Sequence, residues 1–291
     1  MKLAVLGVGL IGGSIGLAAR RRAGGGAGIH VTGYDPDASA LSAALDAGAI
    51  DSSAGAVADA VGDADIVFVA APVGVLPKLI GEALSAAGPA CVVSDVGSTK
   101  LAVVDATCDP RFIGGHPLAG AETAGVANAR EDLFDGAVWY LVPGPETART
   151  SIERVSAVVK QLGGTPAIAD AVTHDRLMAC VSHLPHVIAN VLVDETAGAL
   201  FTAPDDVRPH VFGVGPSFRD ATRVAGANAA IWTDIYMSNR AALIEAIDEA
   251  VARLQEVRSM LAKADPAALR AWCERAQGQR DALRQMTASG S

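Results

Sequence analysis

His116 stands in the run Gly114-Gly115-His116-Pro117-Leu118-Ala119-Gly120, with Glu122 two residues beyond, and this stretch offers one imidazole on a backbone with little bulk around it. An imidazole titrates near neutrality, and such a stretch can bring it close to a ligand. Glycines let the chain approach a ligand and Pro117 restricts the residue before it, so the histidine is expected on a Gly/Pro loop and held in place. Ser98, in Val96-Gly97-Ser98-Thr99-Lys100, is a hydroxyl able to hydrogen-bond that ring. Further along, Ser182-His183-Leu184-Pro185-His186 sits in a long apolar stretch; if it is helical, Ser182 and His186 share a face one turn apart. Phe218-Arg219-Asp220-Ala221-Thr222-Arg223 carries guanidinium forks suited to a carboxylate, and Trp232 follows. Each feature also has a plainer use: an exposed turn histidine, satisfied core histidines in a helix bundle, a surface ion pair between Asp220 and Arg223. His183-x-x-His186 resembles a pair of metal ligands, but neither an HExxH motif nor a nearby carboxylate completes a set, so no metal is expected.

These residues need elements to hold them. Apolar Lys2–Leu6 runs into Gly7-Val8-Gly9-Leu10-Ile11-Gly12 and then a helix, which is the Gly-x-Gly-x-x-Gly turn in strand–turn–helix context. Gly7 permits the tight turn, Gly9 lets a pyrophosphate touch the backbone, and Gly12 lets helix and strand pack closely, while Leu10 and Ile11 open a helix whose free N–H groups favour phosphate. The next strand, Ile29–Tyr34, ends at Asp35, placed to accept from ribose hydroxyls and to repel a 2′-phosphate. NAD is therefore the expected cofactor, with NADP not excluded because Arg20 or Arg21 could offset that repulsion. Asp65–Ala70 and Ala90–Asp95 are short continuous apolar runs of the kind found in buried parallel strands. The first leads into Ala71 and Pro72, the second towards Ser98, and a further strand over Arg111–Gly114 leads to His116. Ligands bind beyond the carboxyl ends of such strands, so Ala71, Pro72 and Ser98 join the expected cofactor contacts.

Strand-like Ala137–Val142 and Thr165–Ala169 flank a helix over Thr147–Leu162, and from Asp170 the pattern is helical. The expected architecture is α/β: an N-terminal Rossmann-type doubly wound sheet over residues 1–169, then an all-α domain over 170–291 for substrate and dimerisation. In it, Ala241–Leu261 aligns Leu243, Ile244, Ile247, Val251, Leu254 and Leu261 on one stripe. A chain of 291 residues, 51% hydrophobic, has material for two domains and a buried core. Its net charge of -9 without a basic cluster argues against nucleic acid as a partner. Leu3–Ala19 is too short and glycine-rich for a membrane span, and the four cysteines form no CxxC pair, which suits reduced thiols in the cytoplasm.

Taken in order, Gly-x-Gly-Leu-x-Gly-Gly-Ser at the N-terminus, Val-Gly-Ser-Thr-Lys at 96–100, Gly-His-Pro-Leu-Ala-Gly-x-Glu at 115–122, Ser-His-Leu-Pro-His at 182–186 and Phe-Arg-Asp-x-Thr-Arg at 218–223 resemble the prephenate/arogenate dehydrogenase family of tyrosine biosynthesis. Departures are small: Gly115 stands where many members have serine, Leu118 where methionine is common, and Arg219 where lysine is common. The resemblance implies oxidative decarboxylation of prephenate to 4-hydroxyphenylpyruvate, or of arogenate to tyrosine. It implies His116 as acceptor of the ring-hydroxyl proton, with Ser98 orienting the imidazole. Arg223, positioned by Asp220, would hold a substrate carboxylate; Ser182 and His186 would meet the side-chain end, and Glu122 and Trp232 would line the pocket. It further implies a homodimer through the helical domain and a chain without an ACT domain or fused chorismate mutase. Two other functions fit part of the pattern. A β-hydroxyacid-type or pyrroline-carboxylate reductase-type enzyme shares the layout, but the former would want a lysine in the helical half, and none lies between Lys160 and Lys263. A non-catalytic NAD-binding protein would need no constellation of Ser98, His116 and Arg223.

Overall fold

The computed structural model describes residues 1–22, 28–120, 123–201 and 215–289. Eight strands form one sheet: β1 (Lys2–Leu6), β2 (His30–Tyr34), β3 (Ser52–Ser53), β4 (Ile66–Val69), β5 (Val92–Asp95), β6 (Phe112–Pro117), β7 (Val138–Val142) and β8 (Thr165–Ile168). Their order is β3-β2-β1-β4-β5-β6-β7-β8, parallel throughout except for the antiparallel pair β6–β7. The chain leaves β1 towards β2 and later returns to the other flank of β1 with β4, so the order reverses beside the Gly7–Gly12 turn.

The continuous apolar strands follow from burial on both faces. Leu3, Val5, Ile66 and Phe68 enter one core with Ile15 and Trp139, while Ala4, Leu6, Val67 and Val69 enter the opposite core with Leu76 and Ile80. Helices α1 (Leu10–Arg22), α2 (Ala38–Asp46), α3 (Val57–Val61), α4 (Leu76–Ala86), α5 (Leu101–Asp105) and α6 (Arg149–Gln161) alternate with the strands. Asp37 caps α2 by accepting from the Ser39 N–H at 2.8 Å, an N-cap that stabilises a helix start.

Asp170 likewise caps α7 (Ala171–Met178), accepting from the Thr173 N–H at 2.9 Å. Next come one π-helical turn over Ala179–His183 and then α8 (Leu184–Phe201). Pro185 has no N–H to return to the preceding turn, which accounts for the local widening. The stretch Ala171–Gly198 is long and apolar enough to cross a membrane by length and composition, yet it supplies buried His174, Asp175, His183 and His186. After α9 (Pro216–Thr222) and a 3-10 turn over Arg223–Gly226, α10 (Ala229–Ser238) packs on the turn that follows β4. These elements belong to one compact unit, Met1–Arg240. A second unit, Ala241–Ser291, consists of the rest of α11 (Arg240–Ala262) and α12 (Pro266–Ser289). On α11, Leu243 is buried, whereas Ile244, Val251, Leu254 and Leu261 of the apolar stripe are exposed.

Candidate active site

At the reversal of strand order the glycine turn is built by close contact. Gly7 has φ +98°, and a Cβ there would meet the Ala70 carbonyl oxygen at 2.2 Å; one on Gly12 would meet the Gly7 carbonyl oxygen at 1.8 Å. A Cβ on Gly9 would meet nothing within 4 Å, so its backbone is open to a ligand. Asp35 ties the turn to β2, one carboxylate oxygen accepting from the Val8 N–H at 3.1 Å and the other from the Asp37 N–H at 3.0 Å. A cavity of about 470 Å³ opens here, with Gly7, Gly9, Asp35, Ala71 and Pro72 in its wall. Leu10 and Ile11 form the first turn of α1 beside it. Lys78 and Glu82 of α4 also line it, 3.7 Å apart; nothing in the local sequence singled them out. An exposed backbone at a helix start with a carboxylate beyond it fits a dinucleotide, pyrophosphate on the N–H groups and ribose on Asp35.

A second cavity, of about 370 Å³, lies further along the strand ends, and Ser98, His116, Ser182, His183 and Trp232 are in its wall. His116 departs from the loop expected of a Gly/Pro run: it is part of β6, paired with Tyr140 of antiparallel β7. Gly115 lets β6 lie close against the end of β5, since a Cβ there would meet the Asp95 carbonyl oxygen at 2.3 Å, and one on Gly114 would crowd the Val142 carbonyl oxygen of β7 at 3.1 Å. The partner of His116 also differs. Its Nδ1 lies 2.9 Å from Nε2 of His174, and Nδ1 of His174 lies 2.8 Å from Oδ1 of Asp175; Ser98 shares the cavity instead of meeting Nδ1. Burial, followed by electrostatic opposition from His174, Lys100 and His183 to a second positive charge, holds the His116 pKa well below the usual histidine value.

Beneath this row lies a buried ionic knot. Lys100 pairs with Asp95, both side chains fully buried, and Asp95 also accepts from the N–H of Gly97 at 2.8 Å and of Gly115 at 3.0 Å. Burial pulls the Lys100 pKa down, against the pull of Asp95. Asp175 accepts from the N–H of Lys100 at 2.8 Å and of Leu101 at 2.9 Å, holding the start of α5. One carboxylate thus fastens the loop after β5 to the helix bearing His174.

The π-helical turn decides the next placements. Ser182 and His183 reach the cavity, while His186, expected on the same face as Ser182, stacks on Trp232 with ring centroids 3.6 Å apart and planes 2° from parallel. Tyr236 hydrogen-bonds its Nδ1, which Asn190 also approaches at 3.3 Å. His186 thus backs Trp232, which lines the cavity, and burial lowers its pKa against the opposing influence of the Val224 backbone. His183 accepts at Nδ1 from the Asn239 amide nitrogen at 3.1 Å, and the same nitrogen donates to the Asp175 carbonyl at 2.7 Å. Burial pushes the His183 pKa down to about 4, against the pull of Asp175; the ring is neutral at pH 7, with Nδ1 accepting and the hydrogen on Nε2. Neither His183 nor His174 stands out as a site residue from sequence, although His183 lies in Ser182-His183-Leu184-Pro185-His186 and His174 is followed directly by Asp175 near the start of the helical half. Arg223 and Asp220 are exposed on the 3-10 turn and α9, outside the wall of this cavity. Glu122 lies outside the described residues, and among the described residues no group of three or more His, Cys, Asp or Glu could hold a metal ion.

A sheet in this order, with a dinucleotide cradle at its reversal and an imidazole-walled cavity further along the strand ends, defines a Rossmann-type dehydrogenase. More particularly, the chain belongs to the prephenate dehydrogenase family: residues 15–167 match that family's nucleotide-binding domain and residues 170–275 its dimerisation domain. It is 33% identical over 285 residues to the prephenate dehydrogenase of Bacillus subtilis, a match covering 95% of this chain and 74% of that one. The crystal structure of prephenate dehydrogenase from A. aeolicus with hydroxyphenyl propionate and NAD+ superposes with a TM-score of 0.88 at 27% identity, covering 97% of this chain and 98% of the other. Synechocystis arogenate dehydrogenase gives a TM-score of 0.82 at 26% identity, over 97% and 100% of the two chains.

Proposed function

We propose that this enzyme is an NAD-dependent prephenate dehydrogenase, converting prephenate to 4-hydroxyphenylpyruvate with loss of CO2. The observation that carries this reading is the neutral imidazole of His116 in the wall of a cavity that also holds Ser98, His183 and Trp232. NAD, when bound, supplies the hydride acceptor, cradled by the Gly7–Gly12 turn with Asp35 at its ribose. His116 takes the proton of the ring hydroxyl as that carbon becomes a carbonyl. Ser98, in the wall of the same cavity as His116, is assigned a contact with the substrate and with the nicotinamide end of the cofactor. His183 donates from Nε2 to a substrate oxygen, and Ser182 and Trp232 hold the ring and side chain, Trp232 kept flat by His186. Arg223, positioned by Asp220 at the exposed 3-10 turn beyond the cavity wall, is assigned to a substrate carboxylate, and Glu122 to the lining of the pocket. Loss of CO2 aromatises the ring, so alignment is the main demand on the protein.

Work is divided near residue 169, nucleotide binding before it and substrate and dimer contacts after it. Two copies associate through the helical half, a reading supported by the exposed apolar residues of α11 and the matched dimerisation domain. The enzyme works in the cytoplasm, in keeping with four unpaired cysteines. The similarity to an arogenate dehydrogenase favours arogenate as the second substrate to try. The test is NADH formation from NAD with each substrate: prephenate should be turned over, and His116→Asn should lower kcat by about 10²–10⁴-fold while leaving NAD affinity nearly unchanged. Absence of turnover on both substrates, or a fully active His116→Asn, refutes the reading.

A further inference from the structure

Behind His116 stands a row that the reaction as described does not use: His174, itself fully buried, between the His116 ring and the Asp175 carboxylate. The hydrogen positions follow from the partners. Asp175 accepts at Oδ1 from the Lys100 N–H and at Oδ2 from the Leu101 N–H, so it is held as an acceptor. His174 must then present its hydrogen to Asp175 from Nδ1, which as a neutral ring leaves a lone pair on Nε2. That lone pair lies 2.9 Å from His116 Nδ1, so His116 carries its hydrogen on Nδ1, and its free lone pair is on Nε2. A histidine able to accept at Nε2 is the one a hydroxyl in the cavity requires.

We propose that His174 is a positioning residue: anchored by Asp175, it fixes His116 in the Nδ1–H tautomer and takes a hydrogen bond from the imidazolium when Nε2 accepts a proton. This rests on the reading of His116 as proton acceptor. The balance is simple: the hydroxyl O–H bond breaks, its electron pair goes to the new C=O bond as hydride leaves the carbon for the nicotinamide, and the proton rests on His116 Nε2. Among the described residues, His174 is the hydrogen-bond partner of His116 Nδ1. Tyr140 meets His174 edge-on with centroids 5.4 Å apart, while Lys100 is engaged by Asp95 and His183 by Asn239. The arrangement also explains why the loop after β5, α7 and β6 are cross-linked through Asp95, Lys100 and Asp175: together they set the distance between two imidazoles.

The test reads the tautomer directly. In protein labelled with ¹⁵N-histidine, two-bond ¹H–¹⁵N correlation spectra at pH 7.5, without cofactor or substrate, distinguish a protonated Nδ1 from a protonated Nε2, with the His116 signals assigned by their loss in His116→Asn. Wild-type His116 should show protonated Nδ1. His174→Gln, whose amide can still accept from that hydrogen, should retain it; His174→Leu should lose it, giving the Nε2–H form or a mixture. His174→Leu should also lower kcat by about a hundredfold or more with little change in substrate KM, and His174→Gln should stay within about tenfold of wild type. A wild-type His116 protonated at Nε2, or an unchanged tautomer in His174→Leu, overturns the proposal. Should His174→Leu fail to fold, the wild-type and His174→Gln spectra decide the matter alone, since loss of the Nδ1–H form in either one overturns it. A shifted tautomer with undiminished turnover would instead refute His116 as the proton acceptor while leaving the hydrogen assignment intact.

Discussion

Lowering the pH from 7 to 5 charges a histidine in the unfolded chain but leaves His183 neutral in the fold. Its pKa falls from an ordinary 6.5 to about 4 because burial penalises the imidazolium more than Asp175 favours it. The sign follows directly: between those two values the unfolded state binds a proton that the native state refuses, so stability is complete above pH 6.5 and drains away as pH falls towards 4. Integrated from pH 7 to pH 5, with pKa values of 6.5 unfolded and about 4 folded, the loss due to this one ring is about 2 kcal/mol. His116 and the carboxylates titrate as well, so the comparison is with His183→Gln, which keeps a polar side chain beside Asn239 and removes the titration. Urea unfolding of both proteins at pH 7 and pH 5, at one salt and one protein concentration, isolates the difference. Wild type should lose about 2 kcal/mol more than the variant over this interval. Equal losses in the two proteins would mean that His183 is not held neutral and that its assignment as a donor from Nε2 is mistaken.

Three further outcomes are expected. Lys100→Met leaves the Asp95 carboxylate buried with two backbone donors and no cation, which should cost about 3–5 kcal/mol in urea unfolding; a loss under about 1 kcal/mol would show that the pair contributes little. The same variant removes a charge that lowers the His116 pKa, so the acidic limb of its kcat/KM profile should move to higher pH. Arg223→Ala should raise the apparent KM for the dicarboxylate substrate about tenfold or more, as for loss of a charge-assisted contact, with thermal stability nearly unchanged; the opposite pattern would make Arg223 a structural ion-pair residue.

Much of this molecule is legible along the chain. Lys2–Leu6 followed by Gly7-Val8-Gly9-Leu10-Ile11-Gly12 and Asp35 defines the dinucleotide turn, because its requirements are local: an allowed φ, a close approach, an acceptor at the end of the next strand. The apolar runs at 66–69 and 92–95 likewise announce strands buried on both faces, since hydrophobic patterning is a local consequence of burial. The motif around His116 marked an imidazole that lines the cavity even though the residue belongs to a strand; the Gly/Pro signal for a loop was overridden by antiparallel pairing with β7, a contact between segments more than twenty residues apart.

Only the tertiary structure determined what surrounds that imidazole. His174 and Asp175 come to His116 from 58 and 59 positions away, and no spacing rule relates a strand residue to a helix capped by Asp170. The register of Ser182, His183 and His186 depends on one π-helical turn, which sends the first two into the cavity and the third behind Trp232; an ideal 3.6-residue period predicts otherwise. Composition and motif chose the chemical groups because chemistry needs residue types. Protonation state, tautomer and which ring faces the substrate depend on burial and on partners distant in sequence, and those exist only once the chain has folded.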